Sequence, residues 1–245
     1  MKPRTKFKKE IISEFLPPAR QSNKVIILAR GMPGAPRHPD VLKFWSKKGF
    51  WVFFPRYRGS WESAGRFLKK SPHLDILDII PELSKGFEDL WSGKRYKIKK
   101  PEIYVIGGSF GGPAAIFAAR DPRITKAVAI SPVIDWRINS PDESMEKLGK
   151  FVKEGFGGGY RFSMRDWKRL SRGEFYNPID EVKTIPAGKL LIFHSTDDRS
   201  CPYPPAFRFA KKTGVKLITF TSGGHFGISE SILPSFYKHI KKFFR

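Results

Sequence analysis

The sequence predicts an α/β fold: a mostly parallel sheet with helices on both faces. Three observations carry that expectation. Six short apolar, β-branched runs recur along the chain, and segments with helical spacing of apolar residues lie between them. The loops that follow the runs are the ones rich in Gly, Ser, Asp and His. Buried parallel strands read as continuous apolar runs, and strand–helix alternation builds a sheet covered on both sides. Right-handed crossovers then bring the C-terminal end of every strand to one rim, where such sheets bind ligands.

The first run, residues 25–28, ends in Gly31-Met32-Pro33-Gly34, a tight loop. The second, 51–54, ends in Pro55-Arg56-Tyr57-Arg58-Gly59. Leu74, Leu77, Asp78, Pro81 and Leu83 then start a helix that carries on to about Trp91. The third run, 103–106, leads into Gly107-Gly108 and a small-residue helix over 114–120. The fourth, 127–130, ends in Ser131-Pro132. Residues 135–185 break the alternation with Gly155 to Gly159 and several aromatics. A structureless loop of that length is improbable, so it is expected to carry helices of its own, as a cap inserted into a single domain spanning 1–245. The fifth run, 190–193, ends in His194-Ser195-Thr196-Asp197-Asp198, and a helix follows over 204–212. The sixth, 217–220, ends in Ser222-Gly223-Gly224-His225 before a last helix over 228–244.

Composition excludes several classes. The 245 residues hold 46 Lys and Arg against 23 Asp and Glu, a net charge of +23. The basic residues are scattered in pairs such as Lys47-Lys48 and Lys211-Lys212 with no nucleic-acid-binding signature, so no specific nucleic-acid partner is expected. The positive field can still draw in anionic substrates. Forty per cent apolar residues and 22 Phe exclude a disordered chain. The single cysteine, Cys201, excludes a disulfide framework and a Cys-based metal cage. No apolar run reaches about 18 residues, so no membrane span is expected. Residues 11–16 contain Ser13 and Glu14, too short and polar for a signal-peptide core, so a cytoplasmic setting is expected. Gln21, Asn23, Asn139 and Asn177 are the only amide side chains; few thermolabile amides beside many charges fit a heat-adapted protein.

The sharpest motif is Gly107-Gly108-Ser109-Phe110-Gly111-Gly112, a Gly-x-Ser-x-Gly between an apolar strand and a small-residue helix. A sharp strand–turn–helix strains the serine backbone, which only small neighbours permit, and lifts the hydroxyl out of the sheet edge. The helix N-terminus points free N–H groups at a developing oxyanion. A phosphate-binding turn fits less well, because no Lys follows and the glycine spacing differs. Ser109 is therefore the candidate nucleophile.

A serine hydroxyl needs a base, and the base needs an orienting carboxylate; on this architecture the order is Ser, acid, His. His225, in a glycine-rich loop straight after the last strand, is the candidate base. His239 sits on the final helix, His38 and His73 precede the nucleophile, and His194 ends a strand in a structural position. Asp197, Asp198 and Asp135 are all candidate acids, and spacing alone does not choose among them. The oxyanion donors are the backbone N–H of Phe110 and, from the loop after the first run, that of Met32, since Pro33 has none to give.

With these residues in place the sequence resembles an α/β-hydrolase, and within that fold the catalytic domain of the prolyl-oligopeptidase family and its esterase relatives. Arg30-Gly31-Met32-Pro33-Gly34 resembles the family's His-Gly-Gly-Pro oxyanion loop, with Arg30 in place of the usual His. Tyr57-Arg58-Gly59-Ser60 resembles its Arg-Gly-Ser turn, and the Ser109 motif resembles Gly-Gly-Ser-Tyr-Gly-Gly. Asp198 stands four residues before Pro202, as the family's acid does in Gly-x-x-Asp-x-x-Val-Pro, with Ser195 in place of the usual Gly. The resemblance thus implies Asp198 as the acid, and His225 matches the Gly-x-x-His loop. It further implies a serine hydrolase acting through an acyl-enzyme, with no metal or organic cofactor. Only about 24 residues precede the first run, so the family's β-propeller is absent from this chain and ester hydrolysis is favoured over peptide hydrolysis. The substrate expected is a small-molecule ester or a short acyl amide. Trp136, Phe156, Tyr160, Phe162 and Trp167 are candidates to line its pocket. A peptidase or acylaminoacyl hydrolase with the same residues, and a non-catalytic binding protein of the same fold, are the alternatives.

Overall fold

The structure, a computed structural model, describes residues 2–142 and 144–245. The chain opens with an antiparallel hairpin of β1 (Arg4–Phe7) and β2 (Ile11–Leu16). It continues through β3 (Lys24–Ala29), α1 (Pro39–Lys47), β4 (Trp51–Pro55) and α2 (His73–Lys85). The two-residue strands β5 (Phe87–Glu88) and β6 (Arg95–Tyr96) pair only with each other. Then come β7 (Glu102–Gly108), α3 (Gly111–Ala118), β8 (Ile124–Ile130), α4 (Met145–Phe156) and α5 (Met164–Ser171). The last elements are β9 (Leu190–Ser195), α6 (Tyr203–Thr213), β10 (Lys216–Phe220) and α7 (Pro234–Phe243).

Eight strands form one sheet in the order β1-β2-β4-β3-β7-β8-β9-β10. The six strands β4, β3, β7, β8, β9 and β10 are parallel, and they contain the six apolar runs; β2 joins β4 antiparallel. This is the mostly parallel sheet that the alternation predicts, and it agrees with the α/β-hydrolase fold that the resemblance implies. Alternate residues of each strand face opposite layers. Val25, Ile27, Ile103, Val105, Ala127 and Ala129 meet α2, α3 and α6 on one face. Ile26, Leu28, Tyr104, Ile106, Val128 and Ile130 meet α1 and α7 on the other. Each large apolar side chain buried this way contributes about 1.5–3 kcal/mol.

Four departures have physical causes. β2 escapes a hydropathy reading because Ser13 and Glu14 interrupt its apolar run, yet both are buried. Glu14 tolerates burial because Arg56, itself buried, holds it at 2.8 Å. α1 was not anticipated either; its Val41, Leu42 and Trp45 supply the buried stripe of the second layer. α2 stops at Lys85 and not near Trp91, because Gly86 takes φ +116 and turns the chain into the β5–β6 hairpin. The last helix is shorter than 228–244. Residues Ile228–Ile232 form a separate 3₁₀ turn, and Leu233, preceding Pro234, is extended at ψ 143.

Within 135–185, α4 and α5 pack on each other, with the Trp167 indole N–H donating to the Met145 carbonyl at 2.7 Å. The segment is stitched to the turn after β4. Arg161 N–H donates to Gly59 O at 2.7 Å, Phe67 N–H to Arg161 O at 2.8 Å, and Trp61 N–H to Gly159 O at 2.9 Å. No helix among the described residues is long and apolar enough to cross a membrane.

Candidate active site

β7 ends in a turn that holds Ser109 at φ +54, a left-handed conformation that costs a non-glycine residue energy. Its N–H donates to Ile130 O of β8 at 2.9 Å, and its carbonyl accepts from Gly112 N–H at 2.8 Å as α3 begins. The flanking glycines are demanded by close approach. A Cβ on Gly107 would overlap the Gly111 carbonyl, and one on Gly111 would overlap the carbonyls of Ala29 and Arg30 at the end of β3. α3 therefore starts almost in contact with the neighbouring strand. That contact brings the loop after β3 beside the hydroxyl: a Cβ on Gly31 would sit 3.2 Å from Ser109 Cβ and 3.8 Å from its Oγ.

The loop after β9 carries two adjacent carboxylates that part company. Asp198 turns in. Its side chain is wholly buried, and His225 Nδ1 lies 2.9 Å from Oδ2 and 3.1 Å from Oδ1. The N–H groups of Ser200 and Cys201 donate to Oδ1 at 3.0 and 2.9 Å. Asp197 turns out. It accepts from the N–H groups of Gly223 and Gly224 at 3.1 and 2.9 Å, so it braces the backbone of the His225 loop. Asp135 is engaged elsewhere, by Arg137 Nε at 2.7 Å. Burial opposes ionisation of Asp198, but hydrogen bonds from His194 and His225 and from the Cys201 N–H outweigh it, holding this carboxyl well below the usual range.

His194 is a partner of Asp198 that sequence reasoning set aside. It is fully buried, with Nε2 2.7 Å from the Cys201 carbonyl and 3.4 Å from Asp198 Oδ2. No spacing rule flags it, because it ends an apolar strand where a core histidine is ordinary. Cys201 also borders the site, but burial and the neighbouring Asp198 push its thiol well above its ordinary pKa, so it stays protonated. His38, His73 and His239 lie against Ser229, Ser71 and the Phe193 ring respectively.

The His225 loop and the serine turn are built against each other. Phe226 N–H donates to Ser131 Oγ at 3.2 Å, and a Cβ on Gly108 would lie 2.7 Å from Ile228 N. Ser109 and His225 open into one cavity of about 640 Å³, whose wall also includes Met32, Phe110 and Trp136. Phe156, Tyr160, Phe162 and Trp167 do not line it. They pack into the core beneath, Tyr160 and Phe162 against Phe67, because their rings have apolar partners there. Ile138, Leu148 and Phe151 of the inserted segment form the wall instead. Their spacing carries no signal that separates a pocket wall from a core. No cluster among the described residues could hold a metal ion.

The sequence profile of the prolyl oligopeptidase family matches residues 38–245. No curated protein matches. Among solved structures, the acylaminoacyl peptidase of Pyrococcus horikoshii superposes with a TM-score of 0.67 at 17% identity, covering 99% of this chain and 41% of its own. The chain thus spans about two fifths of the length of that peptidase. An esterase of Pyrococcus furiosus gives 0.67 at 17% identity, covering 99% and 88%. Est1E from Butyrivibrio proteoclasticus, solved with ferulic acid bound, gives 0.62 at 17%, covering 97% and 99%. At these identities the likeness is one of fold.

Proposed function

The chain belongs to the prolyl oligopeptidase family, and from that premise we propose that it is a serine hydrolase cleaving carboxylic esters through an acyl-enzyme. The observation that carries this is the 2.9 Å contact between Asp198 and His225 Nδ1, beside a strained Ser109 that opens into the same cavity. Ser109 Oγ attacks the ester carbonyl while His225 Nε2 takes its proton. Asp198 accepts the Nδ1 hydrogen bond, fixing the tautomer and stabilising the imidazolium. The N–H groups of Phe110 and Met32 hold the oxyanion, each donor supplying about 3–4 kcal/mol in the transition state. The proton passes to the leaving alcohol, and water activated by His225 then releases the acid.

Apolar side chains such as Val133, Ile134 and Leu148 on the cavity wall suit a hydrocarbon group of the substrate. Residues 135–185 act in this proposal as a cap on one domain of residues 1–245, supported by their share of that wall and of the core. A cytoplasmic setting belongs to the same proposal, supported by the lone thiol of Cys201.

Hydrolysis of p-nitrophenyl esters and labelling by a fluorophosphonate are the tests. Ser109→Ala is expected to abolish labelling and to lower kcat by about 10⁴-fold or more. Labelling that persists in this variant, or its absence from folded wild-type protein, would sink the proposal. Amide cleavage by the same residues is the second reading, favoured by the likeness to an acylaminoacyl peptidase catalytic domain. Faster turnover of acylaminoacyl amides than of matched esters would establish it instead.

A further inference from the structure

The cavity wall combines apolar side chains such as Ile138, Leu148 and Phe151 with Arg30, His38 and Ser229. Arg30 directly follows β3 and precedes the loop that approaches Ser109. It is only 2% exposed although it lies on the cavity wall. Its Nε donates to Gly31 O at 3.2 Å, its Nη2 donates to Gly34 O, and its guanidinium lies 5.9 Å from the Tyr160 ring centroid. Its Nη1 is buried with no hydrogen-bond partner.

No ion pair among the described residues involves Arg30; the groups that bear on its charge are Tyr160, Tyr57, Arg56 and Glu62. Most other charges nearby are engaged: Glu230, which bears on His38, accepts from the Gly227 N–H at 2.6 Å. Arg56, equally buried, holds Glu14 at 2.8 Å and Glu62 at 3.2 Å. The cavity-wall carboxylates Asp135 and Asp142 have their own partners, Arg137 at 2.7 Å and Arg199 at 2.9 Å. Arg30 is therefore left as a buried cation with Glu62 acting on it only at a distance and no ion-pair partner among the described residues. Such a charge is costly to bury unless a counter-ion arrives from elsewhere. Its field reaches His38, whose pKa is lowered by burial and then by Arg30. His38 Nδ1 lies 3.2 Å from Ser229 Oγ, so an imidazole and a hydroxyl stand together on the same cavity wall.

We propose that the counter-ion is part of the substrate: the enzyme prefers esters that carry a carboxylate close to the scissile bond, paired with Arg30 Nη1 and flanked by His38 and Ser229. The proposal rests on Ser109 being the nucleophile. The chemistry is unchanged, since water adds across the ester and releases acid and alcohol with no further reactant. What the carboxylate adds is orientation: a charge-assisted hydrogen bond next to the oxyanion loop fixes which end of the molecule points into the cavity.

Two matched pairs of esters test this in wild-type protein. Mono(4-nitrophenyl) adipate against 4-nitrophenyl hexanoate places the carboxylate on the acyl side. 4-Acetoxybenzoate against its methyl ester places it on the leaving group. In one pair the anionic member is expected to have a kcat/KM about tenfold higher or more. Arg30→Gln is expected to lower that anionic-to-neutral ratio about 30-fold, and Arg30→Lys to retain part of it. Preference for the neutral member in both pairs overturns the proposal, as does a ratio that Arg30→Gln leaves unchanged, which makes Arg30 only a brace of the loop. Should Arg30→Gln fail to fold, competitive inhibition of wild-type hexanoate hydrolysis takes its place as the readout: adipate must inhibit more strongly than adipamide. Equal inhibition overturns the proposal. Fluorophosphonate labelling of wild-type Ser109 keeps the two ideas apart. Its absence removes the nucleophile, whereas labelling with neutral preference removes only the carboxylate site.

Discussion

Two neighbouring aspartates with different duties show what a single residue decides here. Asp198 holds the imidazole and Asp197 holds the backbone of the loop that carries it. Asp198→Asn is expected to lower kcat about 10⁴-fold, because the amide cannot orient the required tautomer, and stopped-time ester assays measure it. The same carboxylate affects stability. Its pKa is depressed in the folded chain, so its contribution is present above the unfolded value of about 4 and fades as pH falls through the lower folded value. Urea titrations of wild type and Asp198→Asn are therefore expected to differ by a constant amount from pH 7 to about 5 and to converge only in strong acid. The choice between the two aspartates was not legible from spacing, since either could reach from the loop between β9 and α6. The resemblance to a known motif made it, and the residues that motif omits, His194 above all, stayed invisible.

Elements meet at a few points where no side chain fits. Gly111 lies against the carbonyls of Ala29 and Arg30, so Gly111→Ala must push α3 away from β3. A loss of about 3 kcal/mol or more is expected in chemical denaturation, with loss of the proposed ester hydrolysis, because the displaced helix carries the proposed oxyanion donor, the Phe110 N–H, with it. α2 adds a pH dependence. His73 lies against Phe117 with ring centroids 5.2 Å apart, and burial, aided by Arg120, pushes its pKa down to about 4. An unfolded histidine titrates near 6.5, so the unfolded chain binds the extra proton first as pH falls. Stability is thus expected to decline between about pH 6.5 and 4, by at most about 3 kcal/mol, and His73→Gln to flatten that slope in urea midpoints. The six parallel strands were legible because each contains a run of four residues that is apolar throughout, or broken only by Thr219 in β10. The hairpin β1–β2 was not, since its buried Glu14 becomes intelligible only beside Arg56, which follows β4. Long-range pairing of that kind leaves no local trace.

For the molecule as a whole, charge is the dominant quantity. A net +23 repels itself, and part of that repulsion is absorbed in networks such as Arg58 with Glu10, Asp75 and Asp78. Raising NaCl from about 10 to 200 mM is expected to increase the melting temperature, as screening relieves the surplus positive charge more than it weakens the buried pairs. A fall would mean that the networks outweigh the repulsion. Calorimetry at both salt concentrations decides it.

The strand order β2-β4-β3-β7 has a bearing on where this protein can be cut. The family profile begins at residue 38, after β1, β2 and β3 have already been laid down. A fragment trimmed to that boundary would keep Ser109, Asp198 and His225 but lose a strand from the middle of the sheet. β4 and β7 would face each other across an empty lane of unpaired amides and carbonyls, and the Arg30 loop would be gone with it. The start of the profile match and the mechanical boundary do not coincide, and the shortest piece able to hold its shape reaches back at least to β3.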